Sequence, residues 1–217
     1  MSLEGPSLPP HSGTADSLVI LLHGYGADGN DLIGIGEALA PHLPRTRFMA
    51  PNAPQRCANN PMGYQWFPIP WMDGSSETEM IAGFNASVDL LNGYLDAAAR
   101  EMPPARTVLV GFSQGTMMAL HVALRRPDPV AGIVGFSGRL LSPETLAAEI
   151  ACRPPVLLVH GDQDPMVPYA SMAEAAQALA AAGVPVQTHT SPGTGHGIAA
   201  DGLQVAFGFI NAHLKGQ

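Results

Sequence analysis

Apolar residues follow two spacings along this chain of 217 residues, and segments of the two kinds alternate. Short runs rich in apolar residues predict strands at 18–22, 46–50, 107–110, 130–136, 156–159 and 184–190. Longer segments with apolar residues three or four apart predict helices at 31–43, 77–102, 116–126 and 201–214, with another running from a capping box at Ser171 and Glu174 to Gly183. Strands that are apolar on both faces are typical of a parallel sheet covered by helices on both sides. The pattern therefore predicts an α/β fold.

The segment 51–76 interrupts this alternation. It is rich in proline and contains Tyr64, Phe67 and both tryptophans of the chain, Trp66 and Trp71. A long segment without predicted elements inside a compact domain is usually functional or disordered. Two interpretations stay open: an aromatic cluster that seals the loop onto the core, or an apolar wall or lid over a binding pocket.

A serine lies at the junction between the predicted strand 107–110 and the helix that follows it. The junction reads Gly111-Phe112-Ser113-Gln114-Gly115. A G-x-S-x-G pattern at a strand-to-helix turn is typical of a nucleophile elbow, in which a sharp turn projects the serine Oγ above the sheet. The glycines would allow strand and helix to pass close together. An ordinary glycine-rich turn is the alternative until partner residues are found.

Candidate partners follow in the order acid, then base, which is the order such hydrolases use. Among eight histidines, His196 lies in a glycine-rich loop before the last helix, after both candidate acids, and is the predicted base. The acid is Asp162 or Asp164, both in the loop after the strand 156–159. Asp164 is favoured because Pro165 biases it toward an extended conformation, whereas Asp162 after a glycine is typical of a turn.

An early glycine-rich loop supplies the remaining part of such a site. The strand 18–22 leads into His23-Gly24-Tyr25-Gly26. An oxyanion hole in this arrangement uses the backbone N–H after the nucleophile, here Gln114, and one from this loop, for which Tyr25 is the predicted donor. A dinucleotide-binding loop is rejected, because the third glycine is misplaced and no acidic residue ends the next strand.

Composition excludes several other classes. The net charge of −8 disfavours nucleic acid as a partner, and no apolar run approaches the length of a membrane span. We expect a cytoplasmic protein, because no signal peptide is visible and Cys57 and Cys152 form no CxxC pair. The expected organisation is a lead-in at 1–16 and a single domain at 17–217.

Taken together, the motifs resemble those of the phospholipase/carboxylesterase family of small α/β-hydrolases over nearly the whole chain. The resemblance rests on Leu22 to Gly26, Trp66-Phe67, the Gly111 to Gly115 elbow, Gly195-His196 and the run His160-Gly-Asp-Gln-Asp-Pro-Met-Val-Pro168. It implies an α/β-hydrolase fold with a mostly parallel central sheet and no large separate cap domain. The chain departs from the usual family pattern at Tyr25 and Thr116.

The resemblance and the residues imply the same chemistry: a serine carboxylesterase with Ser113, Asp164 and His196 as its triad. Acyl transfer from small or short-to-medium acyl esters to water needs neither a metal nor a cofactor. Pocket candidates are Trp66, Phe67, Met166 and Val167. The alternatives are a thioesterase or lysophospholipase on the same triad, and a catalytically silent binding protein. The expected partner is a small-molecule ester, without stable membrane insertion, and the chain is a monomer or a homodimer.

Overall fold

A computed structural model describes residues 3–215. Its strands are β1 (Ser7–Leu8), β2 (Ser17–Leu22), β3 (Thr46–Met49), β4 (Gln55–Arg56), β5 (Tyr64–Gln65), β6 (Thr107–Phe112), β7 (Gly132–Phe136), β8 (Val156–Gly161) and β9 (Val186–Ser191). Its α-helices are α1 (Gly29–Leu39), α2 (Pro70–Asp73), α3 (Glu77–Ala99), α4 (Gln114–Ala123), α5 (Pro143–Glu149), α6 (Ala170–Ala181) and α7 (Ala200–Lys215).

Seven strands form one sheet in the order β1-β3-β2-β6-β7-β8-β9. The strands from β3 to β9 in this order are parallel, and β1 pairs antiparallel with β3 at one edge. The loops that follow the parallel strands therefore open along one edge of the sheet, where sheets of this kind present their sites. The predicted α/β-hydrolase fold with a mostly parallel sheet is confirmed.

Alternate residues of the strands divide the core between the two faces of the sheet. In β2, Leu18, Ile20 and Leu22 belong to the half of the core that α3, α4 and α6 cover. Val19 and Leu21 belong to the other half, which α1 and α7 cover. Because helices cover both faces, β2 is buried along its whole length, which explains its unbroken apolar run.

The predicted capping box at Ser171 and Glu174 is wrong. The N-cap lies two residues earlier than predicted: it is Tyr169, without a side-chain cap, and helix α6 begins at Ala170. The Ser171 amide donates to the carbonyl of Pro168 at 2.9 Å, so the turn before Ser171 is already wound and Ser171 lies inside the helix. A real capping box occurs at α3, where Ser76 and Glu79 bond reciprocally to each other's backbone N–H.

The segment 51–76 has local structure that the apolar pattern did not reveal. It contains the hairpin β4–β5 and the short helix α2, which ends at Gly74 in a left-handed conformation (φ 74°). The residues before β2 include β1, whose Ser7 and Leu8 pair with Met49 and Phe48 of β3. Helix α5 was also not predicted. Within residues 3–215, no helix is both long and apolar enough to cross a membrane.

Candidate active site

Ser113 lies at the turn between β6 and α4 in a backbone conformation that non-glycine residues rarely adopt (φ 53°, ψ −114°). Its amide donates to the carbonyl of Phe136 in β7 at 2.8 Å, which fixes the turn to the neighbouring strand. Such a conformation costs on the order of 1–3 kcal/mol and persists where the surrounding fold enforces it, often at active sites. The structure therefore has the strained turn that the elbow motif predicts.

The two motif glycines are required by close backbone approach. A Cβ on Gly111 would lie 2.4 Å from the amide nitrogen of Thr116, and one on Gly115 would lie 1.9 Å from the carbonyl oxygen of Leu22. The first contact brings the helix back over its own strand, and the second packs the helix start against β2. Only glycine allows both approaches without displacing α4.

Ser113, His196 and Asp164 form a continuous chain of hydrogen bonds across three loops. His196 Nε2 lies 3.0 Å from Ser113 Oγ, and His196 Nδ1 lies 2.8 Å from Asp164 Oδ2. The Asp164 side chain is fully buried, whereas that of His196 is 21% exposed. The three residues follow β6, β8 and β9, so the parallel sheet brings together side chains that are far apart in sequence.

The second carboxylate oxygen of Asp164 is held by its own loop. Its Oδ1 accepts hydrogen bonds from the amides of Met166 and Val167, both at 2.9 Å. Burial by itself would raise the pKa of Asp164, but the hydrogen bonds from His196 and from these two amides outweigh it and lower the pKa below its ordinary value. Asp164 is therefore a carboxylate at neutral pH.

His160 is buried and contacts the same carboxylate. Its Nε2 lies 3.0 Å from the carbonyl oxygen of Val167 and 3.3 Å from Asp164 Oδ2. Both partners are acceptors, so Nε2 carries a proton and donates to them. His160 thus helps to fix the Asp164 carboxylate.

Asp162, the alternative acid, lies elsewhere. Its Oδ1 accepts a hydrogen bond from the amide of Gly193 at 2.7 Å, which ties the loop after β8 to the loop after β9. The amide of Gln163 donates to the carbonyl of Thr194 at 3.0 Å and reinforces this tie. Asp162 therefore positions the loop of His196, which agrees with the turn role expected from sequence.

The loop after β2 lies directly against the elbow. A Cβ on Gly24 would be 3.3 Å from the Cβ of Ser113. The buried ring of His23 holds this loop, because its Nε2 accepts from the Ala53 amide at 2.9 Å and its Nδ1 donates to the Gly24 carbonyl at 2.7 Å. Burial lowers the pKa of His23, so the ring stays neutral, as this hydrogen-bond pattern requires. The arrangement brings the predicted oxyanion-hole residues Tyr25 and Gln114 to the cavity that Ser113 lines.

Trp66, a predicted pocket residue, does not line the cavity. It is fully buried: its indole N–H donates to the His23 carbonyl at 2.9 Å, and its carbonyl accepts from Ser87 Oγ. The Gln114 side chain accepts from the Trp66 amide at 2.8 Å and donates to the Phe67 carbonyl at 2.7 Å. Trp66 is therefore a structural residue: its indole bonds to the backbone of the loop after β2, and its amide bonds to the Gln114 side chain, which joins the elbow to the segment 51–76. Nothing in the sequence indicates this bridging role of the Gln114 side chain.

A cavity of about 460 Å³ opens beside Ser113 and His196. The predicted pocket residues Phe67, Met166 and Val167 line it, and so do apolar residues of the segment 69–72 and of α3 and α4, namely Ile69, Trp71, Met72, Met80 and Met117. Two charged residues that sequence reasoning missed, Glu77 and Arg139, also lie in its wall. The apolar lining supports the interpretation of the segment 51–76 as a pocket wall, while Trp66 supports the interpretation as a seal on the core.

Tyr25 connects that wall to the loop after β2. Its hydroxyl donates to Asp73 Oδ2 at 3.0 Å, and the same oxygen accepts from the amide of Ile69 at 2.8 Å. The sequence showed that Tyr25 departs from the family pattern but not that it fixes α2. Within residues 3–215, no group of three or more histidine, cysteine or acidic side chains is placed to hold a metal ion.

Fold and geometry together define the class: the chain is a serine hydrolase with the α/β-hydrolase fold. It belongs to the phospholipase/carboxylesterase family, whose model matches residues 5–214. The crystal structure of esterase PE8 superposes with a TM-score of 0.93 at 46% identity and covers 99% of this chain and 100% of that one. Acyl-protein thioesterase 1 of Mycosarcoma maydis is 34% identical over 74% of this chain and 74% of its own length. Esterase YpfH of Escherichia coli is 28% identical over 88% of this chain and 81% of its own length. The chain is a carboxylic ester hydrolase.

Proposed function

We propose that the chain hydrolyses small or short-to-medium acyl esters through an acyl-enzyme on Ser113. The observation that carries the proposal is the continuous hydrogen-bond chain from Ser113 Oγ through His196 to the buried carboxylate of Asp164. It supplies a nucleophile, a base within reach of its proton, and a group that orients the base.

The first half of the reaction transfers the acyl group to the serine. Ser113 Oγ attacks the ester carbonyl carbon while its proton passes to His196 Nε2. Asp164 accepts the Nδ1–H of His196, which keeps Nε2 available as a base and stabilises the imidazolium that forms. The carbonyl oxygen becomes an oxyanion, for which we assign the Tyr25 and Gln114 amides as donors. Each donor of this kind typically contributes about 3–4 kcal/mol to transition-state stabilisation.

Departure of the alcohol completes this acyl transfer, and the second half of the reaction then releases the acid. The tetrahedral intermediate collapses, the bond to the leaving alcohol breaks, and the alcohol takes the proton from His196 Nε2. Water then attacks the acyl-enzyme while His196 removes its proton, and collapse returns that proton to Ser113 as the carboxylic acid leaves. The atoms balance with water as the only co-reactant, so neither a metal nor a cofactor is required in the proposal.

The size and the lining of the cavity support the proposal that the acyl groups are of short to medium length. Its volume of about 460 Å³ lies toward the lower end of the range for small-molecule pockets, and methionines from three elements line it. Methionine side chains adapt to different apolar shapes. Thioester hydrolysis is the second candidate, because the chain is similar to proteins named acyl-protein thioesterase 1, among them that of Mycosarcoma maydis.

We further propose that the chain is cytoplasmic and that its partner is a small-molecule ester. The chain acts as a monomer or a homodimer in this proposal. Cys57 and Cys152 are both buried and free, which suits a reducing compartment. The net charge of −8 disfavours nucleic acid.

The test is hydrolysis of 4-nitrophenyl butyrate by the wild type and by Ser113→Ala. We expect the variant to lose turnover while its circular dichroism spectrum and Tm stay near wild type, because Ser113 contributes its hydroxyl to the triad. Full activity in a folded Ser113→Ala variant would refute the proposal. A matched thioester, hydrolysed by the same two proteins, decides between the two candidate substrates through the ratio of their kcat/KM values.

A further inference from the structure

The wall of the active-site cavity includes an arginine that the hydrolytic mechanism does not use. Arg139 follows β7, is exposed, and lines the same cavity as Ser113 and His196. Among residues 3–215, no hydrogen bond or ion pair occupies its guanidinium group. Other arginines of the chain pair with carboxylates, as in Arg45–Asp16, Arg47–Glu101, Arg125–Glu149 and Arg126–Asp96. Within the part of the chain that the structure describes, the charge of Arg139 is therefore left unpaired.

The backbone before Arg139 is packed against the nucleophile elbow. A Cβ on Gly138 would lie 3.0 Å from the carbonyl oxygen of Ser113 and 2.4 Å from the Cβ of Thr116. Ser137, which precedes it, has a positive φ of 45°, and its amide donates to the carbonyl of Val159 at 2.9 Å. Arg139 is therefore the residue directly after the backbone that packs against Ser113.

The charges around Arg139 leave it available to a ligand. Glu77, at the start of α3, is the acidic residue of the cavity wall, yet the two side chains form no ion pair within 4.0 Å. The rest of the wall is mostly apolar, and apolar walls strengthen the interaction between a charge and a bound counter-ion. A guanidinium presents a planar fork of donors that matches a carboxylate or a phosphate.

We propose that Arg139 is a specificity-determining residue that binds an anionic group, a carboxylate or a phosphate, carried by the ester substrate away from the scissile bond. This inference rests on the proposed esterase function and adds a substrate class to it: esters that combine an apolar part with one negative charge. Arg139 acts by binding the substrate and takes no part in the transfer of the acyl group.

The test compares each anionic ester with its neutral methylated analogue. Three pairs separate the possible positions and sources of the charge: 4-acetoxybenzoate for a carboxylate in the leaving group, 4-acetoxyphenyl phosphate for a phosphate there, and the mono-4-nitrophenyl ester of adipic acid for a carboxylate in the acyl group. The readout is the anionic-to-neutral ratio of kcat/KM. We expect Arg139→Gln to lower this ratio about tenfold in at least one pair, the size expected for losing one charge-assisted hydrogen bond at a partly exposed site.

Two further variants keep the proposal falsifiable. Arg139→Lys keeps the charge but loses the planar fork, so its ratio should fall between those of wild type and Arg139→Gln. Arg100→Gln makes the same change in net charge at the far end of α3 from Glu77, and its ratio should equal that of wild type. A ratio that Arg139→Gln leaves within about twofold of wild type in all three pairs would overturn the proposal, as would an equal fall in Arg100→Gln, which would show a general charge effect.

The failure of this inference is distinguishable from failure of the proposed function. If Ser113→Ala abolishes hydrolysis of the neutral esters but Arg139→Gln leaves every ratio unchanged, only the role of Arg139 is wrong. If hydrolysis of the neutral esters survives in Ser113→Ala, the proposed function itself is wrong.

Discussion

The substitution Asp164→Asn tests the role of the buried carboxylate with little change in shape. Its Oδ1 accepts from the amides of Met166 and Val167, so the oxygen of an asparagine must take that position. The asparagine NH₂ then occupies the place of Oδ2 and faces His196 Nδ1. Because NH₂ is a donor, Nδ1 must become the acceptor and the ring proton moves to Nε2, where it points at Ser113 Oγ. The imidazole can then no longer accept the serine proton.

The expected loss is large in catalysis and moderate in stability. A triad locked in the wrong tautomer loses about 10⁴-fold in kcat, which corresponds to roughly 5.5 kcal/mol of transition-state stabilisation. The folded state loses a hydrogen bond to a charged group, about 1.5–3 kcal/mol, which lowers the Tm of a chain of this size by roughly 5–10 °C.

The assay is steady-state hydrolysis of 4-nitrophenyl butyrate, with Tm measured on the same samples. Asp162→Asn is the matched control, because Asp162 bonds to the Gly193 amide and touches neither His196 nor Ser113. We expect Asp162→Asn to keep kcat within about tenfold of wild type. The assignment of the acid would be refuted if folded Asp164→Asn kept activity within tenfold of wild type. It would also be refuted if Asp162→Asn lost more activity than Asp164→Asn.

Three further predictions address the wall, the elbow and the half-buried His121. Tyr25→Phe removes the hydrogen bond to Asp73, worth about 1 kcal/mol, and should raise KM about fivefold for the longer acyl esters with little change in kcat. Gly115→Ala places a Cβ 1.9 Å from the Leu22 carbonyl and should cost at least about 3 kcal/mol, measured as a fall in Tm of roughly 10 °C. Burial lowers the pKa of His121 to about 4, so the unfolded chain binds more protons between pH 6.5 and about 4. The free energy of unfolding should therefore decrease by at most about 3 kcal/mol as the pH is lowered from 6.5 to about 4. Urea titrations should show a smaller decrease in His121→Leu.

Each of these predictions has a result that contradicts it. For Tyr25→Phe it is an unchanged KM across an acyl-chain series of 4-nitrophenyl esters. For Gly115→Ala it is a Tm equal to that of Gly93→Ala, a helix position where an added Cβ meets nothing within 4 Å. For His121 it is the same pH dependence of unfolding in wild type and variant.

Much of the fold could be predicted from the chain because burial on both faces of a parallel sheet leaves a strong local signal. Strand β2 is apolar at nearly every position for that reason, and so is β8 up to His160. Strand β1 left no such signal: it is two residues long and exists through pairing with β3. The capping box predicted at Ser171 is wrong for a local reason: the turn from Pro168 to Ser171 is already wound, so α6 begins before the motif.

The order and loop positions of the predicted triad residues are visible in the sequence, but the groups that support them are not. The sequence favours Asp164 over Asp162 through a following proline, whereas the structure separates them by their partners, His196 and Gly193. The contact between Tyr25 and Asp73 joins residues 48 positions apart, and periodicity carries no information about such pairs. Arg139 carries no signal in the sequence, because its place in the cavity wall depends on how the loop after β7 packs against the elbow.

The most direct test of the central claim is the site at which a fluorophosphonate reacts with the native enzyme. A reagent of this kind forms a covalent bond with an activated serine, and peptide mass spectrometry locates the adduct. The account predicts one adduct per chain, on the peptide that contains Ser113, with loss of esterase activity in proportion to labelling and no labelling of Ser113→Ala. Labelling of a different residue, or full esterase activity in an enzyme whose Ser113 is completely modified, would contradict it.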